Sequence, residues 1–177
     1  MMNNSKSIIF GGGCFWGVQH YFKQVKGVLN TVVGYTAGSY KSPTYKLVCS
    51  GKTGHSEVCK VDYDVAKTNL NILLEHFFFI IDPTILNQQG NDVGTQYRTG
   101  IYYNDEEDLK TIQNYIDSIR KNYKSPIVVE VLPATEFYSA EEYHQDYLEI
   151  NIGGYCHIGS AKIRAAPKVD ESARTKF

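Results

Sequence analysis

The chain has 177 residues, enough for one domain with a full hydrophobic core and too few for two comfortable ones. With 42% hydrophobic residues, 21% charged residues and a net charge of −1, it has no electrostatic footprint for nucleic acid or an anionic membrane. Residues 1–10 carry one lysine and a three-residue apolar run, which does not read as a secretory signal. No stretch approaches the ~20 apolar residues that cross a bilayer. The expectation is therefore a cytoplasmic protein whose four cysteines (Cys14, Cys49, Cys59 and Cys156) are buried small hydrophobes or redox groups rather than structural disulfides.

In chain order, Ser7 to Phe10 reads as a short buried strand stopped by Gly11, Gly12 and Gly13. Phe15, Val18, Phe22 and Val25 recur at helical spacing, so a helix is expected from about Cys14 to just before Gly27. Val28 to Tyr35 is β-branched and strand-like. Ser42-Pro43 looks like an N-cap and first helical position, opening a short helix closed by Gly51. Glu57 to Tyr63 alternates and reads as a half-exposed strand, and Asn69 to Ile81 as an apolar helix ended by Asp82-Pro83. Residues 84–98 show no period and are expected to be a long loop, either functional or disordered.

A strand at Gly100–Tyr103 is followed by an amphipathic helix over Asp105–Lys121, a strand at Ile127–Leu132 and a helix over Ala140–Ile150. Residues 151–177 are expected to be irregular, so the single domain is compact over about 6–158 with a tail at 159–177. The order strand–helix–strand–strand–helix–strand predicts an α/β (α+β) two-layer sandwich. Its ferredoxin-like βαββαβ core carries an appended helix, strand and helix. Fold alone assigns no chemistry.

The segment Gly11-Gly12-Gly13-Cys14-Phe15-Trp16-Gly17 lies between a strand and a helix. A cysteine there faces the positive end of a helix, and both the dipole and the free N–H groups should lower its pKa from about 8.5. A dinucleotide-binding fingerprint is excluded, because the third glycine of that pattern falls on Trp16 and no acidic residue follows near Thr31. Gly13-Cys14-Phe15-Trp16-Gly17 resembles the signature of the A-class peptide methionine sulfoxide reductases. The resemblance continues through Gly34-Tyr35, Pro43-Thr44-Tyr45, Gly54-His55-Ser56-Glu57-Val58, Asn91-Asp92-Val93-Gly94-Thr95-Gln96-Tyr97-Arg98 and Ala140-Glu141-Glu142-Tyr143-His144-Gln145. It covers about Ile8 to Cys156.

The resemblance implies that Cys14 attacks the sulfoxide sulfur and becomes a sulfenic acid. It implies that Phe15 and Trp16 hold the substrate methyl group and that Glu57 donates the proton. That last role requires burial, because a free glutamate is ionised at neutral pH. Tyr45 and Tyr97 correspond to hydroxyls that hold the sulfoxide oxygen, and Asp92 to an aspartate that organises the site. Cys156, in a glycine-rich segment, resembles a resolving cysteine. The expected substrates are oxidised proteins and free methionine S-sulfoxide, with thioredoxin or another dithiol as reductant. No cofactor or metal is expected, and the enzyme is expected to be a monomer.

Three rival readings are weaker. A hydrolase pairing Cys14 with His55 or His144 leaves Trp16, Glu57 and the tyrosines idle. A zinc module lacks a Cys-x-x-Cys pair. A noncatalytic peptide-binding domain with aromatic grooves would not need Cys14 at all. Cys49 and Cys59 are expected to be buried structural thiols.

Overall fold

The computed structural model describes residues 4–177. β1 (Ser5–Gly11) leads through a glycine turn to α1 (Phe15–Phe22), and β2 (Val28–Thr36), α2 (Tyr45–Cys49) and β3 (Ser56–Asp64) follow. α3 (Leu70–Ile80) precedes a two-residue hairpin, β4 (Gln88–Gln89) and β5 (Asp92–Val93), then a 3₁₀ turn at Thr95–Tyr97 and β6 (Gly100–Tyr103). The remaining elements are α4 (Glu106–Ile119), β7 (Glu130–Pro133), β8 (Tyr138–Ser139), α5 (Tyr147–Ile150) and α6 (Ser160–Lys176).

The main sheet runs β7-β6-β1-β3-β2-β8. Its centre, β6-β1-β3-β2, is antiparallel throughout, which is the ferredoxin-like arrangement the element order predicts. β1 is bonded on both edges, and this central position explains its unbroken apolar run, because Ile8, Ile9 and Phe10 are all buried. The Phe10 ring stacks on Phe22 of α1 at 5.1 Å and on Phe77 of α3 at 4.6 Å, so one side chain joins both helices to the sheet. The opposite face carries a smaller cluster of Ile9, Val58 and Tyr102, with Phe137 packed against it. β7 extends the sheet in parallel to β6.

Helix starts follow their caps. Asn69 accepts from Ile72 N–H at 3.0 Å and Asp105 from Asp108 N–H at 2.8 Å. For α2 the cap is Thr44, whose hydroxyl accepts from Leu47 N–H, and not Ser42, which takes a positive φ of 47°. The loop over 84–98 is ordered by the β4–β5 hairpin and by Gln89, which bonds both the N–H and the C=O of Asp82 at 2.8 Å.

Three expectations about the C-terminal third are corrected. Residues 140–150 form no continuous helix. Glu142–His144 is a 3₁₀ turn, Asp146 takes a left-handed φ of 54°, and only Tyr147–Ile150 is helical. The strand expected from Ile127 begins at Glu130. Residues 160–176, expected to be an irregular tail, form α6, the longest helix among the described residues.

α6 is held by a buried polar relay. Tyr21 O–H donates to His76 Nδ1 at 2.7 Å, and His76 Nε2–H donates to Asp170 Oδ1 at 3.3 Å. Arg174 bonds Asp170 at 2.7 Å, the Lys67 carbonyl at 2.7 Å and the Lys26 carbonyl at 3.2 Å. His76 has no exposed surface and burial holds its pKa below the ordinary value, so the pair is a neutral imidazole against a carboxylate. Replacing Asp170 with Ala strands both the His76 donor and Arg174. We predict a loss of about 2 kcal/mol in urea unfolding; an unchanged midpoint would mean that α6 contributes nothing to the fold.

Candidate active site

Cys14 occupies the N-cap position of α1, with the N–H groups of Trp16 and Gly17 directed at its sulfur. The preceding turn needs glycine: Gly13 has φ +88°, and a Cβ there would lie 2.7 Å from Gln89 and 2.8 Å from His157 Nε2. The thiol is 7% exposed. Burial drives its pKa well above the ordinary thiol value, with the Glu57 carboxylate adding to the effect, while the two N–H groups pull only partly back. The expected lowering by the helix terminus is therefore corrected. Desolvation of a charged sulfur outweighs one helix end.

Glu57 lies on β3 beneath α1 and is 1% exposed. Its Oε1 accepts from Phe15 N–H at 3.3 Å, and its Oε2 has no partner. Burial raises its pKa to about 8, against the pull of the Phe15 N–H. At neutral pH it therefore carries a proton, with one oxygen uncommitted. Cys59, two residues along the same strand, is fully buried in the core.

The walls are aromatic. Phe15 lies against Tyr35, Tyr45 and His144 at centroid distances of 5.7, 6.5 and 5.2 Å. Half-buried Trp16 stacks on Tyr147 at 3.7 Å, and its indole N–H donates to His144 Nδ1 at 3.0 Å. That bond occupies His144 Nδ1 while its Nε2 has no partner, and His55 lies against Tyr138 and beneath Gly38; neither histidine is hydrogen-bonded to Cys14.

Tyr45 and Tyr97 both sense the Glu57 charge, and Tyr97 also senses Cys14 and Asp92. Burial raises both phenols above their ordinary values, keeping them neutral donors. Tyr97 is fixed by its neighbour Arg98, whose guanidinium reaches the carbonyls of Thr95, Ala37 and Gly54 at 2.9, 3.3 and 2.9 Å. Asp92 accepts from Tyr155 O–H at 3.1 Å and acts electrostatically on Glu57 and Cys14. Cys156 is half-buried, and its sulfur would touch a Cβ on Gly17 at 3.2 Å. The two sulfurs thus share one residue: Cys14 faces the Gly17 N–H and Cys156 its Cα. All eight residues singled out in the sequence converge on one region.

A family model described as peptide methionine sulfoxide reductase matches residues 6–176. The chain belongs to this family. The reductase is 54% identical over 153 residues to the peptide methionine sulfoxide reductase MsrA of Clostridium acetobutylicum, covering 86% of this chain and 94% of that one. It is 56% identical to the MsrA of Clostridium tetani over the same length, covering 93% of it. Among solved structures it is similar to reduced Mxr1 from Saccharomyces cerevisiae, with a TM-score of 0.84 and 35% identity over 89% of this chain and 91% of that one. It is also similar to Mxr1 in complex with Trx2, with a TM-score of 0.61 and 25% identity over 83% of this chain and 87% of that one.

Some of the reductase's site contacts were not signalled by sequence. Cys49, expected to be buried, is exposed on α2, where the Tyr45 hydroxyl hydrogen-bonds its thiol one turn away. Glu141 accepts from Tyr35 O–H at 2.9 Å, Tyr45 N–H at 3.1 Å and Tyr143 O–H at 3.2 Å, fixing the start of α2 and hence Tyr45. The Ala140–Gln145 motif was the available signal for Glu141 and His144. Among the described residues, no group of three or more His, Cys, Asp or Glu side chains could hold a metal ion. Glu141→Ala is expected to lower kcat/KM for methionine sulfoxide by about tenfold, the equivalent of one charge-assisted hydrogen bond. An unaltered value would show that Tyr45 needs no such anchor.

Proposed function

We propose that this oxidoreductase reduces methionine S-sulfoxide, protein-bound and free, with Cys14 as nucleophile and Glu57 as proton donor. The observation that supports it most is a buried carboxyl with its pKa raised to about 8 and one free oxygen, beneath a protonated cysteine. In this resting state the site holds two protons. The sulfoxide oxygen, already the negative end of the S–O dipole, receives hydrogen bonds from Tyr45 and Tyr97 and then the Glu57 proton. Cys14 attacks as its own proton moves out to restore Glu57, so negative charge on sulfur develops only in the transition state. The products are methionine and a Cys14 sulfenic acid. Phe15 and Trp16 receive the methyl group, and Asp92 orders the loop that carries Tyr155.

Cys156 then displaces hydroxide from the sulfenic sulfur, giving a Cys14–Cys156 disulfide and water. An external dithiol protein of the thioredoxin class reduces that disulfide by exchange; a structure of Mxr1 with Trx2 supports this step. No helix among the described residues is long and apolar enough to cross a membrane, which is compatible with a cytoplasmic enzyme repairing oxidised proteins. The same reading makes the chain one domain, active as a monomer with no cofactor of its own.

Cys14→Ser is expected to abolish turnover. Cys156→Ser should release one methionine per chain and then stop in a thioredoxin-driven assay; sustained cycling would remove Cys156 from the reaction. Because the step needs both groups protonated at the outset, sulfenic acid formation should be flat below pH 8. It should fall by about tenfold per pH unit above, as Glu57 ionises. Glu57→Gln should slow that step by about a hundredfold or more and erase the decline. A retained pH profile would place the acid elsewhere.

A further inference from the structure

His157 follows the resolving cysteine, and the reaction above gives it no role. Its Nε2 lies 2.8 Å from the Gly12 carbonyl oxygen. A carbonyl only accepts, so Nε2 carries the hydrogen and Nδ1 presents a bare lone pair. That Nδ1 is buried and has no hydrogen-bond partner. A Cβ on Gly17 would lie 3.1 Å from it and 3.2 Å from the Cys156 sulfur, so base and thiol converge on one spot of α1. The Cys14 sulfur faces the N–H of the same glycine. The ring also closes over Gly13, where a Cβ would meet Nε2 at 2.8 Å. His157 thus docks the Cys156 segment across the turn that carries Cys14.

We propose that His157 serves the disulfide-forming step, its Nε2–H holding Cys156 beside Cys14 and its Nδ1 accepting the Cys156 thiol proton. This rests on Cys156 being the resolving thiol. As the proton moves to Nδ1, the Cys156 sulfur attacks the Cys14 sulfenic sulfur. The S–S bond forms, the S–O bond breaks, and the departing hydroxide takes the proton as water. Cys156 sulfur is oxidised and Cys14 sulfur reduced by the same electron pair, so no further reactant is needed. The charged groups that act on the imidazole are Asp92 of β5, which favours its protonation, and Lys162 of α6, which opposes it. Burial is the largest effect and keeps the ring neutral, and therefore basic, at physiological pH.

The test separates the two chemical steps in the full chain. Methionine S-sulfoxide is mixed with reduced enzyme without external reductant, and released methionine and remaining thiols are followed together. His157→Gln keeps a donor that can reach the Gly12 carbonyl and removes the basic nitrogen; His157→Ala removes both. Both variants should release methionine at the native rate, which also reports an intact site. Disulfide closure should be slowed by about a hundredfold in His157→Gln and further in His157→Ala. Native closure should decline as pH falls through the imidazole titration, and this decline should vanish in His157→Gln. Closure in His157→Gln at the native rate with the native pH profile would overturn the inference. Failure of the native enzyme to release methionine at all would instead overturn the parent reading.

Discussion

Everything at this site depends on an uncharged carboxyl group kept beneath the first turn of a helix. Helix N-termini attract anions, and Glu57 already accepts the Phe15 N–H there, so the local field favours its ionised form. Burial among aromatic rings wins instead, leaving Glu57 and Cys14 both protonated. The same desolvation that makes Cys14 a poor nucleophile at rest makes Glu57 a usable acid. The rest of the architecture maintains that dryness. β3 is covered by both of its strand neighbours, Phe15 shields the carboxyl from above, and Trp16 closes the rim against Tyr147 and His144.

Much of the fold was legible because its first two thirds bury large apolar side chains at regular intervals. Phe15, Val18 and Phe22 define α1, and Leu73, Leu74 and Phe77 define α3, with caps where the sequence places Asn69 and Asp105. α6 was hidden because its buried positions are Ala166, Asp170 and Ala173. Their spacing is helical, but alanine and aspartate carry no hydrophobic signal, and Pro167 interrupts the pattern further. The reverse error at residues 140–150 has the same origin. A helix-forming composition there is overridden by tertiary bonds, since Gln145 bonds the Val33 backbone on both sides and Glu141 is committed to α2.

The site residues were legible through motif resemblance, whereas the protonation of Cys14 was not. A sequence shows that Cys14 opens a helix, but the balance between that helix and burial depends on what covers it. Cys49 shows the same limit. As a small apolar residue it looked like core, yet α2 has only five residues and turns Val48 inward instead. Glu141, His144, Tyr147 and His157 support other side chains, so their purpose appears only when those partners are in place.

The chain contains one tryptophan, and it is Trp16. Its indole is stacked flat on Tyr147, bonded to an imidazole and set two residues from Cys14. Ultraviolet emission excited at the red edge therefore originates wholly at the rim of the candidate site. The molecule carries its own optical probe, able to follow changes in the packing of Tyr147 and His144 around the indole without any attached dye.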